Sequence, residues 1–459
     1  MLRPLRPRFF TPPSCLAAWA ALIVSCSAPA GQSAPPPPPA APSAAATGTA
    51  VATPAETSPV PKADGAAPSR AKEAPATPRD ARMAFRTWLE ERLPSGGKVV
   101  DEPEQPLVVV HTTKGGETST SLAKAYLDLS EVYFTADYAK AIEQANKHIR
   151  WMQKIPAGKE VRLPALIDAP YKTGDAARLG WPEDKALRGI FLHSDSKDRF
   201  FYALEKMPAR GMNAIVLDAK DYDGWFTYPS KVPIALEAQA TKPAMIRDFA
   251  RVVRFAHKKG IRIIARICCF HDPHTAERVP RLSIKGKWGG PYPDAQDYIF
   301  QVIREVLDTG VDEIQLDYVR YPVQRGLANA QLAPAGIERR TVIRDFVRKA
   351  HAITQARNVP LSLDVFGVIA FGRQVDIDNL GQDLGMLASE CEALSPMVYP
   401  SHYAKGFHGW DEPGDHPEIV GIGTKASVEQ IRAAGVQGGA LVRPWAQAMK
   451  HKSPSFGPK

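Results

Sequence analysis

Three aspartates each follow a short, mainly apolar run: Asp218 after Ala214-Ile215-Val216-Leu217, Asp317 after Glu313-Ile314-Gln315-Leu316, and Asp364 after Leu361-Ser362-Leu363. Lys220 and Asp221 stand just beyond the first, Tyr318 and Arg320 beyond the second, and Phe366 beyond the third. Tyr399, His402 and Tyr403 follow another apolar run, and Trp445 follows Arg443-Pro444. If the runs are parallel strands, their acids point into one cup. Cleaving an acetal needs such a cup, because one carboxyl protonates the leaving oxygen while another attacks the anomeric carbon or activates water. Aromatic faces and guanidinium groups hold the sugar rings and hydroxyls. Asp218, Lys220 and Asp221 read either as contacts to a sugar hydroxyl or as a salt-bridged rim. Tyr399, His402 and Tyr403 suit a sugar platform, and Trp445 reads as a stacking face or as a core tryptophan.

The elements that must position these groups are repeated βα units. From Ala186 onward short apolar runs alternate with amphipathic stretches, the rhythm of a parallel sheet. Seven strands are expected, at 189–192, 214–218, 261–267, 313–318, 361–366, 394–399 and 440–445. Helices fall between them, including 244–259, with a stripe of Ile246, Phe249, Val252, Val253 and Phe255, and 295–307. Doubly wound sheets and TIM barrels share this rhythm, and both place sites at strand C-terminal ends. No glycine-rich phosphate fingerprint follows the first strand, so a nucleotide site loses its main support and no cofactor is implied.

Four stretches carry a resemblance: Asn213 to Asp221, Asp312-Glu313-Ile314-Gln315-Leu316-Asp317-Tyr318-Val319-Arg320-Tyr321-Pro322, Asp364-Val365-Phe366-Gly367, and Ser395 to Tyr403. They look like the putative glycosyl hydrolase domain family of bacterial TIM-barrel proteins, over roughly Leu187 to Trp445. The resemblance implies an α/β fold of the (β/α)8 barrel type with glycosidase-like chemistry, and it names no sugar. In related glycosidase barrels the fourth strand commonly presents a nucleophile or base and the fifth an acid, which implies Asp317 and Asp364 as the catalytic pair. The other reading of these two is a buried structural role, paired with Arg320 or Arg266. The family pattern continues with a further helix and an eighth strand, whereas 449–459 carries neither. A barrel over 186–449 lacking its last strand is therefore expected, with a disordered tail at 450–459 and a shortened reading frame as one explanation.

Upstream, a short helix and connection are expected over 81–106, with Met83, Phe85, Trp88 and Leu89 at helical spacing. A strand-helix-helix-strand unit is expected over 107–165. Its Gly116-Glu117-Thr118 turn, Leu122-Ala123-Lys124-Ala125-Tyr126, Ala145-Asn146 and Ile155-Pro156-Ala157-Gly158-Lys159-Glu160-Val161 resemble a LysM module. That resemblance implies a small α+β unit binding N-acetylglucosamine-containing glycans; the alternative is a structural adaptor.

The first 26 residues have the shape of a signal peptide, with Arg3, Arg6 and Arg8 ahead of an apolar stretch too short to span a bilayer. They end in Ile23-Val24-Ser25-Cys26, which resembles the lipobox of bacterial lipoproteins and implies lipidation at Cys26. The alternative is an ordinary cut after Ala28 or Ala30. Residues 27–80 are rich in Ala and Pro, including Pro35 to Pro39, and read as a disordered tether. The expected location is the bacterial cell envelope, exported and anchored by lipid, with the outer membrane implied by Ser27.

Other signals are weaker. His271, Asp272, His274 and Glu277 match no zinc spacing and hold too few carboxylates for a calcium loop, so no metal is expected, and His271 is read as lining the cleft. Cys268 and Cys269 are adjacent in a strand, pointing to opposite faces, and read as free buried thiols. A net charge of +9 arises from 58 basic and 49 acidic residues spread along the chain, and without a recognition motif it implies no nucleic-acid partner. The function expected is a glycoside hydrolase acting on an envelope polysaccharide or peptidoglycan-type glycan. The rival is a non-catalytic glycan-binding lipoprotein.

Overall fold

The computed structural model describes residues 78–102, 105–150, 152–184, 186–192, 197–241, 246–284, 288–323, 336–436 and 438–448. The expected signal peptide, Cys26, the tether as far as residue 77 and the tail at 450–459 lie outside them. The chain divides into two compact units, with the boundary between Pro170 and Tyr171. Among the described residues no helix is long and apolar enough to cross a membrane.

The smaller unit holds α1 (Pro78–Glu90), β1 (Gly97–Val100), β2 (Val108–Thr112), α2 (Ser119–Tyr126), α3 (Thr135–Ala145) and β3 (Glu160–Leu163). Its three strands form an antiparallel sheet in sequence order. The helix start expected after Glu117 is a capping box: Thr118 Oγ1 accepts from the Ser121 amide and Ser121 Oγ accepts from the Thr118 amide, each at 2.9 Å. Asn146 ends α3 and ties it to β3, its Oδ1 accepting from Arg162 N at 2.8 Å and its Nδ2 donating to Arg162 O at 2.7 Å. β1 corrects the reading of 81–106 as helix and connection only. Gly-Lys-Val-Val is too short to show an alternating pattern and owes its strand form to pairing with Val108–His111 of β2.

The larger unit is an α/β unit containing β4 (Gly189–Leu192), α4 (Lys197–Lys206), β5 (Ala214–Lys220), α5 (Pro233–Glu237), α6 (Phe249–His257), β6 (Arg262–Cys268), α7 (Pro273–Arg278), the short hairpin strands β7 (Ser283–Ile284) and β8 (Trp288–Gly289), α8 (Pro293–Leu307), β9 (Glu313–Asp317), α9 (Arg339–Gln355), β10 (Leu361–Phe366), α10 (Gln374–Leu380), α11 (Leu384–Leu387), β11 (Ala393–Met397), α12 (Ile419–Ala433) and β12 (Leu441–Val442). Seven strands form one sheet in the order β4-β5-β6-β9-β10-β11-β12, every neighbouring pair parallel. Each coincides with an expected run to within a few residues, because buried parallel strands are apolar on both faces and stand out from the amphipathic helices. The helices cover the outer face with apolar stripes: Phe249, Val252, Val253 and Ala256 in α6, and Ile299, Val302, Ile303 and Val306 in α8, all buried. Each large apolar side chain so placed contributes about 1.5–3 kcal/mol.

The sheet curls until its edge strands share a core. Trp445, beyond β12, packs on buried Ala214, Val216 and Ile264, the cluster that Leu187 and Phe191 of the β4 edge also pack against. The N-terminal end of the strands is closed by the segment before β4. Asp312 Oδ1 accepts from Leu179 N at 2.7 Å and Gly180 N at 3.1 Å, while its Oδ2 accepts from Ile263 N at 2.8 Å. Trp181 Nε1 donates to Glu313 at 2.7 Å.

Candidate active site

Parallel register sets the site. Asp218 pairs with Arg266, Arg266 with Gln315, and Cys268 with Asp317 across β5, β6 and β9. Leu316 pairs with Leu363, so the next residues, Asp317 and Asp364, stand side by side at the C-terminal ends of β9 and β10. Alternation along the strands puts Asp218, Arg266, Asp317 and Asp364 on the inner face of the curled sheet.

Arg266 is the hub. Its Nη1 donates to Asp218 Oδ1 at 2.6 Å, and its Nη2 and Nε donate to Asp317 Oδ2 at 2.5 and 3.1 Å. The Asp364 Oδ2 lies 3.7 Å from Nε. All three acids are buried, at 1–3% exposure. One guanidinium cannot neutralise three carboxylates, and burial penalises the charged form. Burial and the neighbouring Asp317 hold the Asp364 carboxyl well above the usual carboxylate range, against the opposing pull of Arg266 and Trp445. Trp445 Nε1 donates to Asp364 Oδ1 at 2.6 Å. Asp317 accepts a further bond from its neighbour's amide, Tyr318 N to Oδ1 at 2.5 Å. Tyr318 has φ of 53°, a left-handed conformation that costs a non-glycine residue on the order of 1 kcal/mol or more.

Beside the acids runs an aromatic wall. The His271 ring stacks on Tyr318 with centroids 4.9 Å apart and meets Trp288 edge-on at 4.9 Å. His271 Nδ1 donates to Tyr222 O at 2.6 Å, which assigns the proton to that nitrogen and leaves Nε2 as an acceptor. Burial lowers its pKa and keeps the ring neutral. The Arg320 guanidinium is buried among Phe366, Trp288 and Tyr318, at 4.8, 5.1 and 5.4 Å from their centroids, and donates to Tyr321 O at 3.1 Å. Tyr399 stands close enough to the acids that burial, then Asp364 and Asp317, raise its pKa. Exposed His402 meets its ring edge-on at 5.1 Å.

The structure thus brings together Asp218, Asp317, Asp364, Tyr399 and Trp445, with His271 and Arg320 along the wall. It does not bring Lys220, Asp221 or Tyr403 to the acids. A β-bulge in β5 between Asp218 and Lys220 breaks the alternation, so Lys220 pairs beside Ile267 on the outer face. There its Nζ is buried against Asp272 Oδ2 at 2.9 Å and donates to Cys268 O at 2.8 Å. Asp221 closes a turn, accepting from Asp223 N at 3.0 Å and Trp225 N at 2.9 Å. Tyr403 stacks on Phe407 at 4.2 Å and meets Phe371, in an apolar cluster with Ala370, Val398 and Ile419. Cys268, Cys269 and Cys391 are free, buried thiols.

Trp288 is the site residue that sequence reasoning left out, while Arg266 and Tyr318 were named there without a place in the site, Arg266 only as a possible partner of a buried acid. Arg266 had a signal, being a lone charge inside the apolar run Ile263 to Cys268. Trp288 had none, because the hairpin of β7 and β8 that carries it follows no strand of the main sheet.

A parallel curled sheet with acids clustered at its C-terminal rim defines the class of α/β barrel-like proteins. The chain belongs to the family described as the putative glycosyl hydrolase domain, whose model matches residues 190–458. A search of curated proteins finds no match. Similar solved structures include a hypothetical protein from Ruminiclostridium thermocellum, at 29% identity and TM-score 0.34 over 38% of this chain and 97% of that one. The spore cortex-lytic enzyme SleL of Bacillus cereus is similar at 11% identity and TM-score 0.32, over 70% of this chain and 60% of that one. The glycoside hydrolase domain of PgaB from Bordetella bronchiseptica is similar at 12% identity and TM-score 0.39, over 53% of this chain and 81% of that one.

Proposed function

We propose that this protein hydrolyses glycosidic bonds in a cell-envelope polysaccharide or peptidoglycan-type glycan, with Asp364 as the acid and Asp317 as the nucleophile. The observation that carries the reading is the pairing of these two carboxyls in register on β9 and β10 around Arg266, with burial and Asp317 raising the pKa of Asp364. In the first step the Asp364 proton passes to the leaving oxygen as the bond to the anomeric carbon breaks, and Asp317 bonds to that carbon. In the second, Asp364 takes a proton from water, whose oxygen displaces Asp317.

The spacing favours retention of anomeric configuration. Arg266 Nε lies 3.1 Å from Asp317 Oδ2 and 3.7 Å from Asp364 Oδ2, so these oxygens are no farther apart than the two distances end to end. That bound contains the ~5–5.5 Å of retaining pairs and only the lower edge of the ~6.5–9.5 Å of inverting ones. Tyr399 and His402 supply a platform and a hydroxyl contact, and the Nε2 acceptor of His271 suits a donating hydroxyl. The LysM-like small unit would hold the glycan, and a lipid on Cys26 would hold the protein at the envelope.

The test is reducing-end release from peptidoglycan and from a panel of bacterial exopolysaccharides. Release by the unmodified chain that is lost in Asp317→Asn and Asp364→Asn, with glycan binding intact, supports the hydrolase. Binding without release by the folded, unmodified protein identifies a non-catalytic glycan-binding protein instead.

A further inference from the structure

We infer that Trp445 is a positioning residue for Asp364: its indole N–H fixes which carboxyl oxygen carries the transferable proton, and its ring holds that geometry across the seam between the edge strands. The inference rests on the two-carboxylate reading above. An indole N–H can only donate, so Asp364 Oδ1, at 2.6 Å from it, can only accept there. The carbonyl oxygen of a neutral carboxyl is a better acceptor than its hydroxyl oxygen, so this bond favours the carbonyl at Oδ1 and the proton on Oδ2, the oxygen facing Arg266 Nε and, through it, Asp317.

The ring is held at both ends. Its own amide donates to Pro396 O of β11 at 3.1 Å, while its ring packs on Ala214, Val216 and Ile264 of β5 and β6, a cluster that Leu187 and Phe191 at the β4 edge also cover. An indole with its edge committed to the acid and its ring packed into this cluster orients the acid instead of serving as a free platform for a sugar. Losing the N–H also removes a bond that favours the ionised carboxyl, so the acid should titrate higher without it.

Trp445→Phe keeps a ring in the seam and deletes only the donor. The upper limb of the kcat profile should move to higher pH by about one unit, and kcat at neutral pH should fall about tenfold, with KM within about twofold of the parent. A second readout needs no substrate. The part of the pH dependence of unfolding that Asp364→Asn abolishes should move to higher pH in Trp445→Phe. If Trp445→Phe does not fold, 3-benzothienylalanine at this position replaces N–H by sulfur and keeps the bicyclic ring. A rise in KM of tenfold or more with both pH readouts unmoved would overturn the inference in favour of sugar stacking. A moved unfolding window in a chain that cleaves no glycan would sink the hydrolase reading and the catalytic role of Trp445 with it, leaving only the contact.

Discussion

Asp364 gains most from its surroundings, and its protonation gives two opposite-looking pH effects with one cause. Its folded pKa is raised, by burial first and by Asp317 second. Hydrolysis needs the protonated form, so the rate should fall as pH rises through the raised value, and a pH-rate profile checks this limb. For stability, the folded chain binds this proton more tightly than the unfolded chain does. The stabilisation is complete below the unfolded value of ~3.9 and is lost as pH rises through the folded one. Asp364→Asn should therefore unfold with a flatter pH dependence and be more stable than the parent above that window, as measured by denaturant titration across pH. The acids themselves were legible in the sequence, because each interrupts an apolar run at a strand end. Arg266 as their hub was not, since which strands become neighbours decides which acids a buried arginine meets. A guanidinium buried among carboxylates is weak support for stability, and such a network is better explained by what it does to the acids.

At the scale of elements, the seven strands of the barrel unit were readable because buried parallel strands are mainly apolar. The β5 bulge was not readable, and it alone turns Lys220 from the inner face to a buried pair with Asp272. β1 of the small unit was likewise silent, being a strand through its partner. The ladder of the short β12 is joined by a polar bond from the residue after it: Arg443 pairs with fully buried Glu313 of β9, which also accepts from Ser362 Oγ at 2.5 Å and Trp181 Nε1 at 2.7 Å. Arg443→Met would strand the Glu313 charge and should destabilise the chain by about 3–5 kcal/mol. Adding Glu313→Gln should restore most of that. Denaturation midpoints of the single and double variants check both statements, and a single variant within about 0.5 kcal/mol of the parent would contradict them.

For the whole molecule, composition and order along the chain suggested an exported protein with two folded units, and the described residues form two compact units divided after Pro170. The envelope location rests on residues outside the described ones. It predicts that Cys26→Ala moves the protein from the membrane fraction to the soluble envelope fraction, because a lipid anchor supplies ~0.8 kcal/mol per buried CH2 and no helix among the described residues is long and apolar enough to cross a bilayer. Fractionation and immunoblotting read this out, and unchanged membrane association would count against the anchor.

The central claim is that two carboxyls divide the labour, and leaving-group dependence tests it most directly. With a panel of aryl glycosides, Asp364→Ala should lose about a hundredfold or more on poor leaving groups yet little on dinitrophenyl glycosides, whose phenolate departs without a proton. Asp317→Ala should lose activity on both. Equal losses of Asp364→Ala across the panel, or full activity of Asp317→Ala on any member, would contradict the account.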